Sequence, residues 1–121
     1  TLAKNVAYAT CVTAKNMNAD AIVVYTHTGD SARRLSGLGA GCPILAITDN
    51  RKTFNQLALA WNVTPVYVEK NDNIDTTLEN GIKKLQDKGI LEKGDTIVIS
   101  GGPSILANAE ESKVVASVAK I

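Results

Sequence analysis

The apolar positions of the chain follow two alternating rhythms. Val6, Thr10, Thr13 and Met17 recur at helical spacing with Ala3, Ala7 and Ala14 beside them, which predicts an opening helix with a small-residue face. Asn18-Ala19-Asp20 ends it. Residues 21–26 are then a β-branched run without polar alternation, the pattern of a strand buried on both faces of a parallel sheet. Thr28-Gly29-Asp30-Ser31 supplies a turn with good helix N-caps, and Ala32, Leu35 and Leu38 give the following helix one apolar stripe. Gly37, Gly39 and Gly41 break it.

The unit repeats. Pro43 opens a second strand, Ile44–Thr48, which Asp49-Asn50 closes. Phe54, Leu57, Ala58 and Trp61 fall at i, i+3, i+4 and i+7, an amphipathic stripe that places Trp61 in the core. Residues 63–69 form a third strand. Ile74, Leu78, Ile82 and Leu85 define a longer helix ending near Lys88, with Lys83, Lys84 and Lys88 as a wet face at its negative end. Gly94-Asp95 turns into a fourth strand at residues 96–99, Gly101-Gly102-Pro103 forces a loop, and residues 113–121 read as a final strand.

Alternating strands and helices imply right-handed crossovers and a parallel sheet covered on both faces. The connection over residues 100–112 holds no long helical stripe, so the last strand is expected to return antiparallel at an edge. The prediction is one α/β domain over residues 1–121. Its architecture is a three-layer αβα sandwich with a five-stranded, mostly parallel sheet and an antiparallel C-terminal edge strand.

Composition narrows the function. Of 121 residues 45% are apolar but few are aromatic, so Val, Ile, Leu and Ala must build the core. A net charge of +1 supplies no clustered basic field, which argues against broad nucleic-acid binding. The longest apolar run, residues 21–25, is too short to span a membrane, and no charged-then-apolar leader opens the chain. A cytoplasmic location is expected. Cys11 and Cys42 form no Cys-x-x-Cys pair, which leaves thioredoxin-type and zinc chemistry without support and makes buried thiols the expectation over a disulfide. His27 is the only histidine and no Gly-x-Ser-x-Gly elbow accompanies it, so no catalytic residue or cofactor is expected in this chain.

In open parallel sheets ligands bind beyond the carboxyl ends of the strands. The loop after the first strand is the most informative rim segment. It places three hydroxyls and a glycine ahead of a helix N-terminus, where backbone N–H groups and the helix dipole suit a phosphate. On this pattern alone a phosphate loop and an ordinary capped turn stand level. The candidate effector or phosphate residues are Thr26, His27, Thr28, Gly29, Asp30 and Ser31, with Gly101 and Gly102 from the last rim loop. Asp49 and Asn50 could orient a polar ligand but fit turn and capping roles better, and Arg33-Arg34 and Arg51-Lys52 could help hold phosphate but fit solvated helix faces better.

Four ordered segments carry a resemblance. Residues 21–33, reading AIVVYTHTGDSAR, resemble the strand, loop and helix that open the effector region in the C-terminal domain of pyruvate kinase. Residues 43–50 (PILAITDN), 61–66 (WNVTPV) and 93–99 (KGDTIVI) resemble later landmarks of that domain in the same order. The resemblance implies an allosteric domain that follows a catalytic barrel and lines a subunit interface. It implies that the magnesium, potassium and phosphoenolpyruvate ligands lie in the barrel, so this chain alone should not transfer phosphoryl groups. Members that bind fructose 1,6-bisphosphate often carry a basic or neutral residue where this loop has Asp30. They commonly carry a basic segment where this chain has Gly37-Leu38-Gly39-Ala40-Gly41-Cys42, and Gly, Thr and Asn where it has Asn108-Ala109-Glu110-Glu111-Ser112.

The expected partners are a phosphorylated small molecule or inorganic anion, the catalytic barrel of a parent enzyme, and a second copy. Val114, Val115, Val118 and Ile121 put apolar residues on both faces of the final strand, which favours self-association there. A flavodoxin-like electron carrier is the rival, because Thr-x-Thr-Gly-x-Ser also resembles a flavin-phosphate loop. Tyr25, Tyr67 and Trp61 fall within predicted regular elements, however, and the rim loops hold no aromatic to enclose a flavin. A stand-alone phospho-ligand binder and a pure oligomerisation module also fit the same pattern.

Overall fold

The computed structural model describes residues 2–100 and 116–121. In chain order the elements are α1 Leu2–Asn16, β1 Ala21–Tyr25, α2 Asp30–Gly37, β2 Ile44–Thr48, α3 Arg51–Leu57, β3 Val63–Tyr67, α4 Ile74–Asp87, β4 Thr96–Ser100 and β5 Ala116–Lys120. They build a five-stranded sheet in the order β3-β2-β1-β4-β5. β1 pairs parallel with β2 and β4, β2 pairs parallel with β3, and β5 runs antiparallel along β4. This is the predicted mostly parallel sandwich with its antiparallel edge.

Period-two alternation divides the core between the two faces of the sheet. Ile22, Val24, Ile44, Ala46 and Val98 face one way and meet Ala7 and Ala14 of α1, Ala32 and Leu35 of α2, and Leu57 of α3. Val23, Leu45, Ile47 and Ile97 face the other way and meet Leu78 and Leu85 of α4 together with Leu91. Small residues let α1 lie close to the sheet: Ala7, Thr10 and Ala14 are its buried positions. The Thr10 hydroxyl is satisfied there, donating to the Val6 carbonyl at 2.8 Å and lying 3.1 Å from the Ser100 hydroxyl.

Several boundaries and burials differ from the sequence expectation. α3 stops at Leu57, so Trp61 is no part of the helical stripe and stands 73% exposed. The chain leaves the helix early because the Asn62 carbonyl must accept the Ile44 amide to set β3 beside β2, and Asn62 turns through a positive φ of 59° to do so. The Ser36 hydroxyl ties the Trp61 carbonyl to α2 at 2.6 Å. Leu38 becomes the C-cap of α2 and is exposed, as is Met17 beyond the end of α1. Cys11 and Cys42 carry free thiols, as expected, though half-buried where the sequence predicts buried ones. β1 and β3 end at Tyr25 and Tyr67, one and two residues before the predicted ends. The described part of the last strand begins at Ala116, and residues 113–115 of its predicted span lie outside the described residues. Among the described residues no helix is long and apolar enough to cross a membrane.

One packing contact reverses an ordinary rule. Gly81 is buried in α4, and a Cβ built on it would lie 2.6 and 2.7 Å from Cγ1 and Cγ2 of Ile47, with Cδ1 closer still. Glycine to alanine inside a helix normally stabilises by about 1 kcal/mol. Here the overlap with a β-branched core side chain costs about 1–3 kcal/mol. Gly81→Ala is therefore expected to lower the denaturant midpoint, and adding Ile47→Val should recover part of the loss. A midpoint that rises in the single variant would show that Ile47 yields without cost.

Candidate functional site

The carboxyl ends of β1 and β2 carry the candidate chemistry. Thr26 follows β1, still donates its amide to the Ile47 carbonyl, and is buried. Its hydroxyl accepts the Gly29 N–H at 2.8 Å, and the Thr28 hydroxyl accepts the Asp30 N–H at 3.3 Å. Two of the hydroxyls expected to meet a ligand thus shape the loop itself. Gly29 is the N-cap of α2 at a φ of 94°, a backbone state that disfavours residues with a Cβ. As N-cap, Gly29 offers no side-chain acceptor, and of the first-turn amides that of Asp30 is already held by Thr28.

Arg33 closes over that turn. Its Nη1 donates to the Thr28 carbonyl at 3.1 Å and to Asp30 Oδ1 at 3.4 Å, while Nη2 donates to Gln56 Oε1 at 3.1 Å. One guanidinium therefore binds the loop to its own helix and to α3. A Cβ at position 29 would meet it at about 2.8–3.1 Å, an overlap the flexible Arg33 side chain can relieve, so it is φ that asks for glycine here. Asp30 is exposed and holds its carboxylate against this cation.

Beside the loop lies a second set of contacts. Asp49 follows β2, its side chain only 6% exposed, and accepts the Tyr25 hydroxyl at 3.2 Å through Oδ2. Its Oδ1 lies 3.1 Å from Nδ1 of His27, whose side chain is 59% exposed. The Thr53 hydroxyl donates to the His27 carbonyl at 2.6 Å, so α3 holds the same residue from the backbone side. Asn50 is the N-cap of α3 and accepts the Thr53 amide at 3.1 Å, the capping role expected of it. Arg51 stacks over the Tyr67 ring at 4.1 Å. Burial pushes the Tyr25 phenol above its ordinary range, and the Asp49 charge and hydrogen bond push it further.

The structure thus places Thr26, His27, Thr28 and Gly29 in one loop with Asp30 and Ser31 opening α2, while Gly101 and Gly102 lie outside the described residues. Ser100 ends β4, and with Ser31, Arg34, Leu35 and Val6 it lines a cavity of about 230 Å³ between α1 and α2. Arg33, one of the basic residues that could help hold phosphate, lies at the loop, and Gln56 and Tyr25 join the site although the pattern of the chain does not single them out for it. The Arg33–Gln56 contact bridges α2 and α3 and the Tyr25–Asp49 contact bridges the ends of β1 and β2, residues far apart in sequence that only tertiary structure brings together. Among the described residues no three His, Cys, Asp or Glu side chains converge to hold a metal ion.

A family model described as the alpha/beta domain of pyruvate kinase matches residues 4–114. The chain is 32% identical over 93 residues to a pyruvate kinase of Clostridium acetobutylicum, covering 77% of this chain and 20% of that protein. It is 36% identical over 88 residues to a pyruvate kinase of Thermotoga maritima, covering 73% and 19%. A crystal structure of Cryptosporidium parvum pyruvate kinase superposes with a TM-score of 0.80 at 18% identity, covering 99% of this chain and 22% of that one. The chain spans about a fifth of the length of these relatives.

The half-buried Tyr25–Asp49 contact makes a titration visible. Because folding raises the Tyr25 pKa above its unfolded value near 10, the contact's stabilisation is complete below that value. It is lost as pH rises through the folded pKa. Tyr25 should form tyrosinate at higher pH than an exposed tyrosine, and Asp49→Asn should bring its titration down. Tyrosinate absorbance compared between the protein, Tyr25→Phe and Asp49→Asn measures both. Identical curves for the protein and Asp49→Asn would remove the contact from the site.

Proposed function

Because the chain belongs to the pyruvate kinase family, as its α/β domain, we propose that it serves as the regulatory and assembly domain of such an enzyme. It binds a phosphorylated effector or an inorganic anion at residues 26–31. The parent reaction, transfer of a phosphoryl group from phosphoenolpyruvate to ADP, takes place in a catalytic barrel outside these residues, in the cytoplasm. Magnesium and potassium belong to that barrel in this reading. The 121-residue chain contributes control and contact.

The observation that carries the reading is the uncapped start of α2 beside Gly29, with the Arg33 guanidinium laid across it. Amides at a helix N-terminus, a neighbouring cation and the Ser31 hydroxyl together suit a phosphate. Asp30 opposes it. A carboxylate in a solvated loop repels a phosphate by roughly 1 kcal/mol, and it also occupies Arg33. Fructose 1,6-bisphosphate is therefore expected to bind weakly. Titration calorimetry with inorganic phosphate and fructose 1,6-bisphosphate tests this. Thr28→Ala combined with Ser31→Ala should weaken both ligands, and Asp30→Arg should strengthen both by about fivefold or more. Equal affinity in the double variant, or tight sugar-phosphate binding by the natural chain, would overturn the loop assignment.

Assembly is proposed to use the sheet edge. β5 is the outer strand, and Val118 on it is 43% exposed. An unprotected edge strand is stabilised by pairing, and the same strand of a second copy pairs antiparallel across a two-fold axis. Sedimentation should show a dimer that Val118→Lys shifts towards monomer. A protein that stays monomeric at high concentration contradicts this part of the proposal.

A further inference from the structure

The two thiols of the chain lie on the same side of the sheet. Cys11 sits on α1 and Cys42 two residues before β2, and both pack against the core cluster that contains Ala14, Ala40 and Ile44. Two adjoining hollows follow the seam between α1 and the segment leading to β2. One is lined by Cys11, Tyr8, Lys15, Leu38 and Ala40, and the next by Cys42, Gly41, Ala14, Lys15 and Ala40. Lys15 and Ala40 are common to both, so the cysteines open onto one continuous seam. Both thiols are free and half-buried, a state that leaves each reachable by a small reagent.

We propose that Cys11 and Cys42 form a dithiol modification site, which a peroxide or glutathione disulfide oxidises to an intramolecular bond clipping α1 to the start of β2. The segment that leads to Cys42 carries two glycines. Gly39 and Gly41 adopt positive φ with open space where a Cβ would stand, and Gly41 directly precedes Cys42. The Asn62 amide holds the Cys42 carbonyl at 2.8 Å, so the adjustment falls on the glycine side of the cysteine. A disulfide needs its Cα atoms within about 7 Å, so the proposal requires the seam to close to that span.

The surroundings order the two steps. Burial raises both thiols, but Lys15 works against that effect at Cys11, whereas Cys11 and Asp20 add to it at Cys42. Cys11 is therefore the attacking thiolate and Cys42 the resolving one. With a peroxide, the Cys11 sulfur attacks one oxygen, the O–O bond breaks, and the departing oxygen leaves as water after taking a proton. The Cys42 thiolate then attacks the sulfenic sulfur, the S–O bond breaks, and a second water leaves as the S–S bond forms. Two thiols lose two electrons and two protons, and one peroxide becomes two waters. With glutathione disulfide the same two electrons release two glutathione thiols. Because burial keeps the thiolate fraction small, the reaction runs over minutes to hours.

The bond would close a ring from residue 11 to residue 42 that contains β1, the candidate loop and α2. Restricting so long a stretch in the unfolded chain raises stability. The test exposes the folded protein to hydrogen peroxide or glutathione disulfide, alkylates it under denaturing conditions and maps its peptides by mass. The expected result is a monomer lighter by about 2 Da, a cross-linked peptide pair containing Cys11 and Cys42, and a Tm higher by about 5 °C or more. Dithiothreitol should reverse all three, and Cys11→Ser or Cys42→Ser should abolish them. Two alkylated thiols after oxidation, separate adducts on each cysteine, or a bond between two copies would each overturn the proposal. The mapping of the unaltered protein decides the question even if a serine variant folds poorly.

Discussion

The double pairing of β1 is the constraint on which the rest of the structure depends. Its backbone hydrogen-bonds to β2 on one edge and β4 on the other, with Ile22 in register with both Ile44 and Val98. Its side chains alternate between two packed layers, so Ile22 and Val23 are buried in opposite cores. A strand held on four sides has no polar position to spare, which is why residues 21–24 carry only Ala, Ile and Val. Polar side chains and glycines can enter only where this pairing ends. That point is Thr26, and the loop chemistry begins there.

Asp49 connects the ends of two neighbouring strands. A nearly buried carboxylate is costly unless its oxygens are satisfied, and here each has a partner contributed by the β1 side. Thr53 adds a third tie by gripping the His27 backbone. The rim is therefore organised from below by β1 and β2 and from above by α3. Arg33 performs the corresponding task for α2, joining its first turn to Gln56. Two charged side chains and the hydroxyls of Thr26, Thr28 and Thr53 give the loop a shape that its glycine alone would not define.

Most of the fold was legible in the chain because its strands are short β-branched runs bounded by turn residues. Ile44–Thr48 could be bounded to the residue, since Pro43 precedes it and Asp49-Asn50 follows. The antiparallel edge was legible from the missing helical stripe before β5. Helix lengths were less so. The spacing of Phe54, Leu57, Ala58 and Trp61 fits a helix that long-range pairing of β3 cuts short after Leu57. Leu38 likewise obeys the stripe of α2 yet falls on its C-cap. Of the site, the loop residues were visible as a local pattern, because glycine and hydroxyl placement is local information. The roles of Arg33, Gln56 and Asp49 were not, because each contact spans two elements that only tertiary packing brings together.

The strand order has a geometric consequence of its own. From β1 the chain winds outward through β2 to β3, then crosses back over the sheet to place β4 on the far side of β1. Right-handed crossovers that advance in opposite directions deposit their helices on opposite faces, which is why α2 and α3 share one layer and α4 occupies the other. The connection leaving β1 therefore turns towards β2 and away from β4 at their shared carboxyl end. An opening is left beside the ends of β1 and β4 on the face that α1 and α2 cover. Ser31 and Ser100 stand on its two banks. The winding of the chain thus sets the position of an opening at this rim before any residue decides what enters it.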